Sequence, residues 1–209
     1  MQIVVQKDIL NHLNPKKAVG VDGITPRLLR LSAPILADEI AKLINFNISI
    51  NSWPSEWKCS NLIPIFKKLD VTCKANYRPI SILTSLSKVY EKVMYDQMYG
   101  AFLQRLSLNL SGFLKIHSCC TALLKMTEDW REKLDEREAV AAVAVDLSKA
   151  FDSIKHRLLL AKLRAYGFSQ SALDLMASYL QRRRQRVKLQ GEFSNYSIVK
   201  VGVPQGSLL

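Results

Sequence analysis

The chain has 209 residues, 30 of them Lys or Arg and 18 Asp or Glu, for a formal charge of +12 near neutral pH. Apolar residues make up 48%, enough for the core of one domain or two small ones, which excludes wholesale disorder. The first ten residues contain Lys7 and Asp8 and do not read as a secretory signal, and the longest apolar run, 139–145, is far short of the ~20 residues a membrane span needs.

In chain order, residues 3–13 read as a short helix ending before Pro15. Residues 16–23 form a loop with two lysines and two glycines. Thr25-Pro26 is a helix start, a cap followed by proline at the first position. From 27 to 50, Leu28, Leu31, Ile35, Ile40, Leu43 and Ile44 recur at helical spacing, and Ser52-Trp53-Pro54 closes that stretch. Residues 62–66 read as a strand, placed at a sheet edge by Pro64. Residues 76–81 are extended, 84–106 helical, and 121–137 an amphipathic helix carrying Leu123, Met126, Trp130 and Leu134. Residues 139–147 are apolar on both faces and read as a central strand ending at Asp146. Helices follow over 155–166, stopped by Gly167, and from the cap Ser169 to about 181. Residues 184–189 alternate basic and apolar, 196–201 can pair with them, and 191–195 would be the turn.

The strong positive excess suits a polyanion, either nucleic acid or an anionic surface. Nine Lys or Arg against one acid, Asp174, fall within 155–190. In that tract Arg182, Arg183, Arg184, Arg186 and Lys188 can neutralise backbone phosphates, although aromatic residues are thin there. The cysteines, Cys59, Cys73, Cys119 and Cys120, form no Cys-x-x-Cys pair, and the three histidines are scattered. Reduced thiols with no disulfide partner and no zinc site are expected, as in an intracellular protein of the nucleus or cytoplasm. No membrane partner is expected.

Asp146 is the residue that points to chemistry. A buried strand ending in a carboxylate delivers charge to a sheet edge, where a hard cation such as Mg²⁺ can be held; a cap for the following turn is the bland alternative. Asp152 reads as the cap of the helix that follows. The string Ala144-Val145-Asp146-Leu147-Ser148-Lys149-Ala150-Phe151-Asp152 closely resembles motif A of the reverse transcriptases of LINE-type (non-LTR) retrotransposons. Four more blocks resemble the same family in family order. These are Gly20-Val21-Asp22-Gly23-Ile24, Asn76-Tyr77-Arg78-Pro79-Ile80-Ser81 with Lys88 and Glu91-Lys92, Ser111-Gly112-Phe113 with His117-Ser118 and Thr121, and Gly202-Val203-Pro204-Gln205-Gly206-Ser207. Ile116 stands where many relatives have glycine.

The resemblance implies an α+β right-hand polymerase fold: a fingers region over 1–118, part of a palm with motif A over 119–166, and a return through the fingers to the start of motif B over 167–209. The palm would be a ferredoxin-like sheet lacking its catalytic hairpin, with the thumb absent. By resemblance, Asp146 and the Leu147 carbonyl bind two Mg²⁺ ions, Phe151 is the gate that excludes a ribose 2′-hydroxyl, and Gln205 and Gly206 contact the incoming nucleotide. Arg78 and Lys88 are candidates for gripping its triphosphate, since a guanidinium bonds phosphate bidentately. The implied partners are an RNA template, a DNA primer and a deoxynucleoside triphosphate, and the implied reaction is two-metal phosphoryl transfer. The family's motif C, with two adjacent aspartates, is absent; no Asp-Asp pair occurs in the sequence. One carboxylate cannot hold two divalent ions against their repulsion, so this chain alone is expected to be a truncated, inactive and aggregation-prone fragment of an RNA-directed DNA polymerase. The alternative is a non-catalytic nucleic-acid-binding remnant of a retrotransposon.

Overall fold

A computed structural model describes residues 7–103, 105–107, 109–147 and 149–209. They form two compact units, one of the described residues within 7–99 and 149–209, the other of those within 100–147.

The larger unit is a mixed α+β body. Helix α1 (Lys7–Asn11) covers the described part of the expected 3–13 helix; residues 3–6 lie outside the described residues. Thr25 caps α2 (Pro26–Leu31), its Oγ1 accepting from the Leu28 N–H at 3.0 Å. The single helix expected over 27–50 is instead two, because α3 (Ala33–Ser49) begins afresh after Ser32. Pro34 explains the break: in a continuous helix its ring would strike the Arg30 carbonyl. The buried face runs on across the break at spacings of three and four, on a different side from the apolar residues that mark the face in the sequence. Leu29, Ala33, Ala37, Ile40, Ile44 and Asn47 face inward, while Leu28, Leu31, Ile35 and Leu43 are exposed.

Strand β1 (Cys59–Phe66) pairs antiparallel with β2 (Tyr77–Leu83) and parallel with β3 (Arg184–Leu189). It is interior to the sheet, contrary to the edge expected from Pro64. The proline is tolerated because β3 pairs only as far as Leu62, so Pro64 has no neighbour on that side. On the other side it faces Pro79. Two residues without N–H groups can be opposed only at a non-hydrogen-bonded position, so no ladder bond is lost. The turn after β3 is tighter than expected: Gln190 and Gly191 both have positive φ, at 51° and 92°, between the paired Leu189 and Glu192. That is the primed geometry of a two-residue hairpin. Strands β4 (Glu192–Phe193) and β5 (Ser197–Ile198) then return along β3, with the register slipped by one residue between them, a β-bulge.

The core gathers where α3, the turn at 52–58, α4 (Ser85–Leu103) and α7 (Gln170–Leu180) meet. Trp53 stacks on Tyr90 at 4.0 Å and meets Tyr179 edge-on at 4.7 Å. Its backbone N–H donates to the Ser178 hydroxyl at 2.9 Å. Residues 125 apart in sequence are thereby tied, and the same closure brings β3 beside β1. Between them, α6 (His156–Ala165) stops at Gly167, whose φ is +85°. Its N-cap is Lys155, not Asp152; the Asp152 carboxylate is engaged elsewhere.

The smaller unit contains α5 (Cys119–Asp135), capped by Ser118 and Thr121 in a reciprocal box. None of its residues is buried. Residues 139–147 do not form the expected central strand: they belong to no ladder and are exposed throughout. Apolar character alone cannot make a strand, since its N–H and C=O groups need a partner strand. Among the described residues none lies alongside. No described helix is long and apolar enough to cross a membrane.

Candidate active site and nucleic-acid interface

The glycine loop at 16–23 packs its backbone onto the end of β2. A Cβ on Gly20 would lie 2.5 Å from the Thr84 Cα, so only glycine fits. The Ser85 hydroxyl donates to the Ile24 carbonyl at 2.9 Å. This docking brings Lys17 within electrostatic reach of Lys88, on the first turn of α4. Lys88 is half-buried, and that burial lowers its pKa; Lys17 adds to the shift and Glu91 opposes it. A cation poorly paid for by its surroundings favours an incoming anion. Arg78, on β2, is exposed.

The terminal segment is a clasp. The Gly202 N–H donates to the Ile154 carbonyl at 2.8 Å and the Val203 N–H to the Phe151 carbonyl at 3.0 Å. A Cβ on Gly202 would sit 2.7 Å from the Asp152 carbonyl oxygen, and its φ is +81°. The His156 ring nitrogen donates to the Gly202 carbonyl at 2.7 Å. Gln205 Nε2 donates to the Asp152 carboxylate at 2.9 Å, which is why that carboxylate caps no helix. The Gln205 carbonyl in turn accepts the outward N–H of Ser81, on the free edge of β2, at 2.7 Å. Gly206 follows so closely that a Cβ there would meet the Ser81 carbonyl at 2.8 Å. Finally the Leu208 N–H donates to Glu91 at 2.9 Å. Glu91 is fully buried and also accepts from the Tyr179 hydroxyl at 3.3 Å. Its burial raises its pKa, against the Leu208 hydrogen bond and the charge of Arg183.

The clasp therefore joins Phe151, Gln205 and Gly206 to the strand that carries Arg78 and, through Glu91, to the helix that carries Lys88. Phe151 is 45% exposed. Asp146 and Leu147 belong to the smaller unit, where both are exposed. Among the described residues no cluster of three or more His, Cys, Asp or Glu could hold a metal ion.

In the basic tract the structure separates what the sequence ran together. Arg183 is 2% exposed. Its Nη1 donates to the Tyr179 carbonyl at 3.1 Å, and it lies over the Tyr179 ring. It is a buried structural cation rather than a surface phosphate contact, at the end of the turn that joins α7 to β3. Arg182, Arg184 and Lys188 are exposed and Arg186 is half-buried.

These contacts place the amino-terminal glycine loop, the β2 block and the segment at 202–207 on one framework. The family model for "Reverse transcriptase (RNA-dependent DNA polymerase)" matches residues 65–209. The chain belongs to the reverse transcriptase family. It is 29% identical over 206 residues to a probable RNA-directed DNA polymerase from transposon BS of Drosophila melanogaster, covering 97% of this chain and 22% of that protein. It is 27% identical over 206 residues to the RNA-directed DNA polymerase from mobile element jockey of the same fly, with the same coverage. A putative COX1/OXI3 intron 1 protein of Saccharomyces cerevisiae is 29% identical over 136 residues, 65% of this chain and 15% of that protein. The fly relatives are LINE-type, non-LTR retrotransposon proteins, and the chain spans about a fifth of their length.

Sequence reasoning passed over several residues of this reverse transcriptase framework. Lys58 is buried, and its pKa is lowered by that burial and by Arg183 and Arg182. Its position beside a strand gave no signal. Phe193 and Tyr196 were invisible as partners of the basic tract because they come from the returning strand, not from the tract itself. Glu91 had a signal, its place in the second family block, but nothing local marked it as the buried end of the clasp.

Proposed function

We propose that these residues are the fingers and the first part of the palm of a reverse transcriptase, which extends a DNA primer on an RNA template by adding deoxynucleotides. The fingers take 1–118, the palm with motif A 119–166, and the return to motif B 167–209. The observation that supports it most is the clasp. The Gln205 carbonyl on Ser81 and the Gln205 side chain on Asp152 hold Phe151, Gln205 and Gly206 about one junction. An incoming nucleotide would meet Phe151 at its sugar, Gln205 and Gly206 beside it, and Arg78 with Lys88 at its triphosphate. Asp146 and the Leu147 carbonyl would bind metal.

The residues present do not fit the two Mg²⁺ ions the family implies. Asp146 is an exposed carboxylate that belongs to no cluster of three or more His, Cys, Asp or Glu among the described residues, and hard divalent ions take six or more oxygen ligands. Catalysis thus needs carboxylates beyond those gathered here, and the 209 residues alone are inactive. The same observation favours, as a second reading, a module that binds nucleic acid without chemistry, acting inside the cell.

The test is primer extension on an RNA template, by the 209-residue chain and by the protein encoded when the reading frame is followed past codon 209. The proposal expects no synthesis by the first. It expects Mg²⁺-dependent synthesis by the second, abolished in Asp146→Ala and admitting ribonucleotides in Phe151→Val. Synthesis by the short chain would overturn the requirement for further carboxylates. Nucleic-acid binding by both proteins that survives chelation, with no synthesis by either, would establish the second reading.

A further inference from the structure

The face of β3 carries Arg184, Arg186 and Lys188 at alternate positions, so all three project to one side of the sheet. Two rings from the returning strand enter between them. Arg184 lies 5.7 Å from the Tyr196 ring, and Arg186 lies 4.9 Å from the same ring. Arg186 is 4.0 Å from the Phe193 ring on its other side, and Lys188 is 5.5 Å from Phe193. The order along the strand is cation, ring, cation, ring, cation. The β-bulge makes this possible: Phe193 pairs directly with Lys188, and the one-residue slip brings Tyr196 opposite Arg186, with Arg184 also within reach of its ring. The row is anchored to β1, where Arg186 Nε donates to the Asn61 side chain at 3.0 Å and Arg184 Nη2 to Cys59 Sγ at 3.3 Å.

No carboxylate neutralises this row. Among the described residues none of the three cations forms an ion pair; Glu56 feels Arg184 weakly, and Glu192 occupies the hairpin beside the turn. Alternate residues on a strand repeat every ~6.8 Å, which is close to the spacing of successive phosphates along an extended nucleic-acid strand. The rings already hold cations against their faces, so intercalated bases are not the means of binding here. Their effect is to fix three long, otherwise mobile side chains at a set spacing, which lowers the ordering cost of contact.

We infer that the β3–β5 face is a platform for single-stranded nucleic acid, on which Arg184, Arg186 and Lys188 bond three successive phosphates without regard to sequence, while Phe193 and Tyr196 hold them in register. This deepens the reverse transcriptase reading above and rests on it for the class of ligand. A row of three cations at alternate positions of one strand can be followed by the backbone of one flexible nucleic-acid strand. A rigid duplex curves away from it.

The experiment measures binding of a labelled 12-nucleotide oligouridine RNA, and of a duplex of the same length, to the 209-residue chain over a series of salt concentrations. The single strand is expected to bind at least about tenfold tighter than the duplex. For single strands the logarithmic salt slope is about 0.7 per phosphate neutralised. The triple change Arg184→Gln, Arg186→Gln, Lys188→Gln should therefore flatten the slope by about 2 and weaken binding ~10-fold or more. Lys188→Gln alone, at an exposed side chain that leaves the Asn61 anchor in place, should flatten it by about 0.7. Phe193→Leu with Tyr196→Leu should keep the slope but lower affinity several-fold, and Tyr196→Phe should bind like the unmodified chain. Equal affinity for duplex, or variants that bind the single strand unchanged, would overturn the platform and leave the reverse transcriptase reading intact. Failure of the unmodified chain to bind either nucleic acid would count against both.

Discussion

The two units carry similar apolar patterns and meet opposite fates. In the larger one, Trp53, Tyr90 and Tyr179 close on one another and are almost wholly buried. In the smaller one, Leu123, Leu124, Trp130 and Leu134 line α5 and stay exposed, while Val143 is 88% exposed on what reads as a strand. Both stretches have the periodicity or apolar density of buried elements. What differs is the company: the larger unit brings residues 125 apart in sequence into pairing, and the smaller one pairs its apolar run with nothing described. Periodicity specifies which face an element would bury; it does not supply the neighbour.

The sharpest way to break this comparison is one tryptophan in each unit. Trp53→Ala removes the centre of the aromatic cluster and should cost about 3–5 kcal/mol, the range for large-to-small changes in a packed core. That is a large part of a domain's stability. Trp130→Ala, on the exposed face of α5, should change global stability by less than ~0.5 kcal/mol. Urea unfolding followed by circular dichroism measures both. Equal effects would mean that α5 is buried in solution and that the contrast between the units is wrong.

Glycines sharpen the same contrast at smaller scale. Gly20→Ala forces a methyl group to within 2.5 Å of Thr84 backbone, which cannot move as a side chain can. The expected cost is ~1–3 kcal/mol. Gly112 has no neighbour within 4 Å of where its Cβ would be, and its φ lies outside the left-handed region, so Gly112→Ala should be neutral or slightly stabilising. Both are read from the midpoint of thermal unfolding.

Much of the larger unit was legible in the sequence, and the exceptions share a cause. The Thr25 cap, the Gly167 stop and the strand at 184–189 are local signals, written within a few residues, and they stand. The interior place of β1 and the burial of Arg183 depend on residues more distant in the chain or in the fold. The strand expected at 139–147 failed for the same reason from the other side, since half of what defines a strand is its partner. For the candidate site, the family blocks named Phe151, Gln205 and Gly206, but not that Asp152 joins them. Asp152 read as a cap because a carboxylate before a helix usually is one; its true partner lies 53 residues away.

Glu91 makes the larger unit's stability depend on pH. Burial raises its pKa above the ordinary carboxylate value of 4.5, so between that value and its folded value the folded chain binds more protons than the unfolded one. Stability from this group is fully present below the unfolded pKa and is lost as pH rises through the folded one. Glu91→Gln keeps a carbonyl oxygen to accept from the Leu208 N–H but cannot ionise. Its unfolding free energy should therefore decline less from pH 4.5 upward than that of the unmodified chain, as seen in urea midpoints measured across pH. Parallel pH profiles would show that Glu91 is ionised throughout, paired with the charge of Arg183.

A small effect within the smaller unit lies at Ile116, where a β-branched residue has φ of +69° and is 98% exposed. Two terms compete when glycine replaces it. A left-handed conformation costs an L-residue about 1–2 kcal/mol, and a branched side chain sits at the upper end. Glycine relieves that but gives the unfolded chain more freedom, worth about 0.5–1 kcal/mol. Because Ile116 is almost fully exposed, no packing is lost to tilt the balance the other way. Ile116→Gly should thus stabilise, by ~0.5 kcal/mol, and the gain should be confined to its own unit, in slower amide exchange over the first turns of α5, which starts three residues on. The exchange rates of β1 and α7 should not move. A gain that reached those elements would show the two units unfolding as one, and the contrast between them would then be one of burial only, not of independent stability.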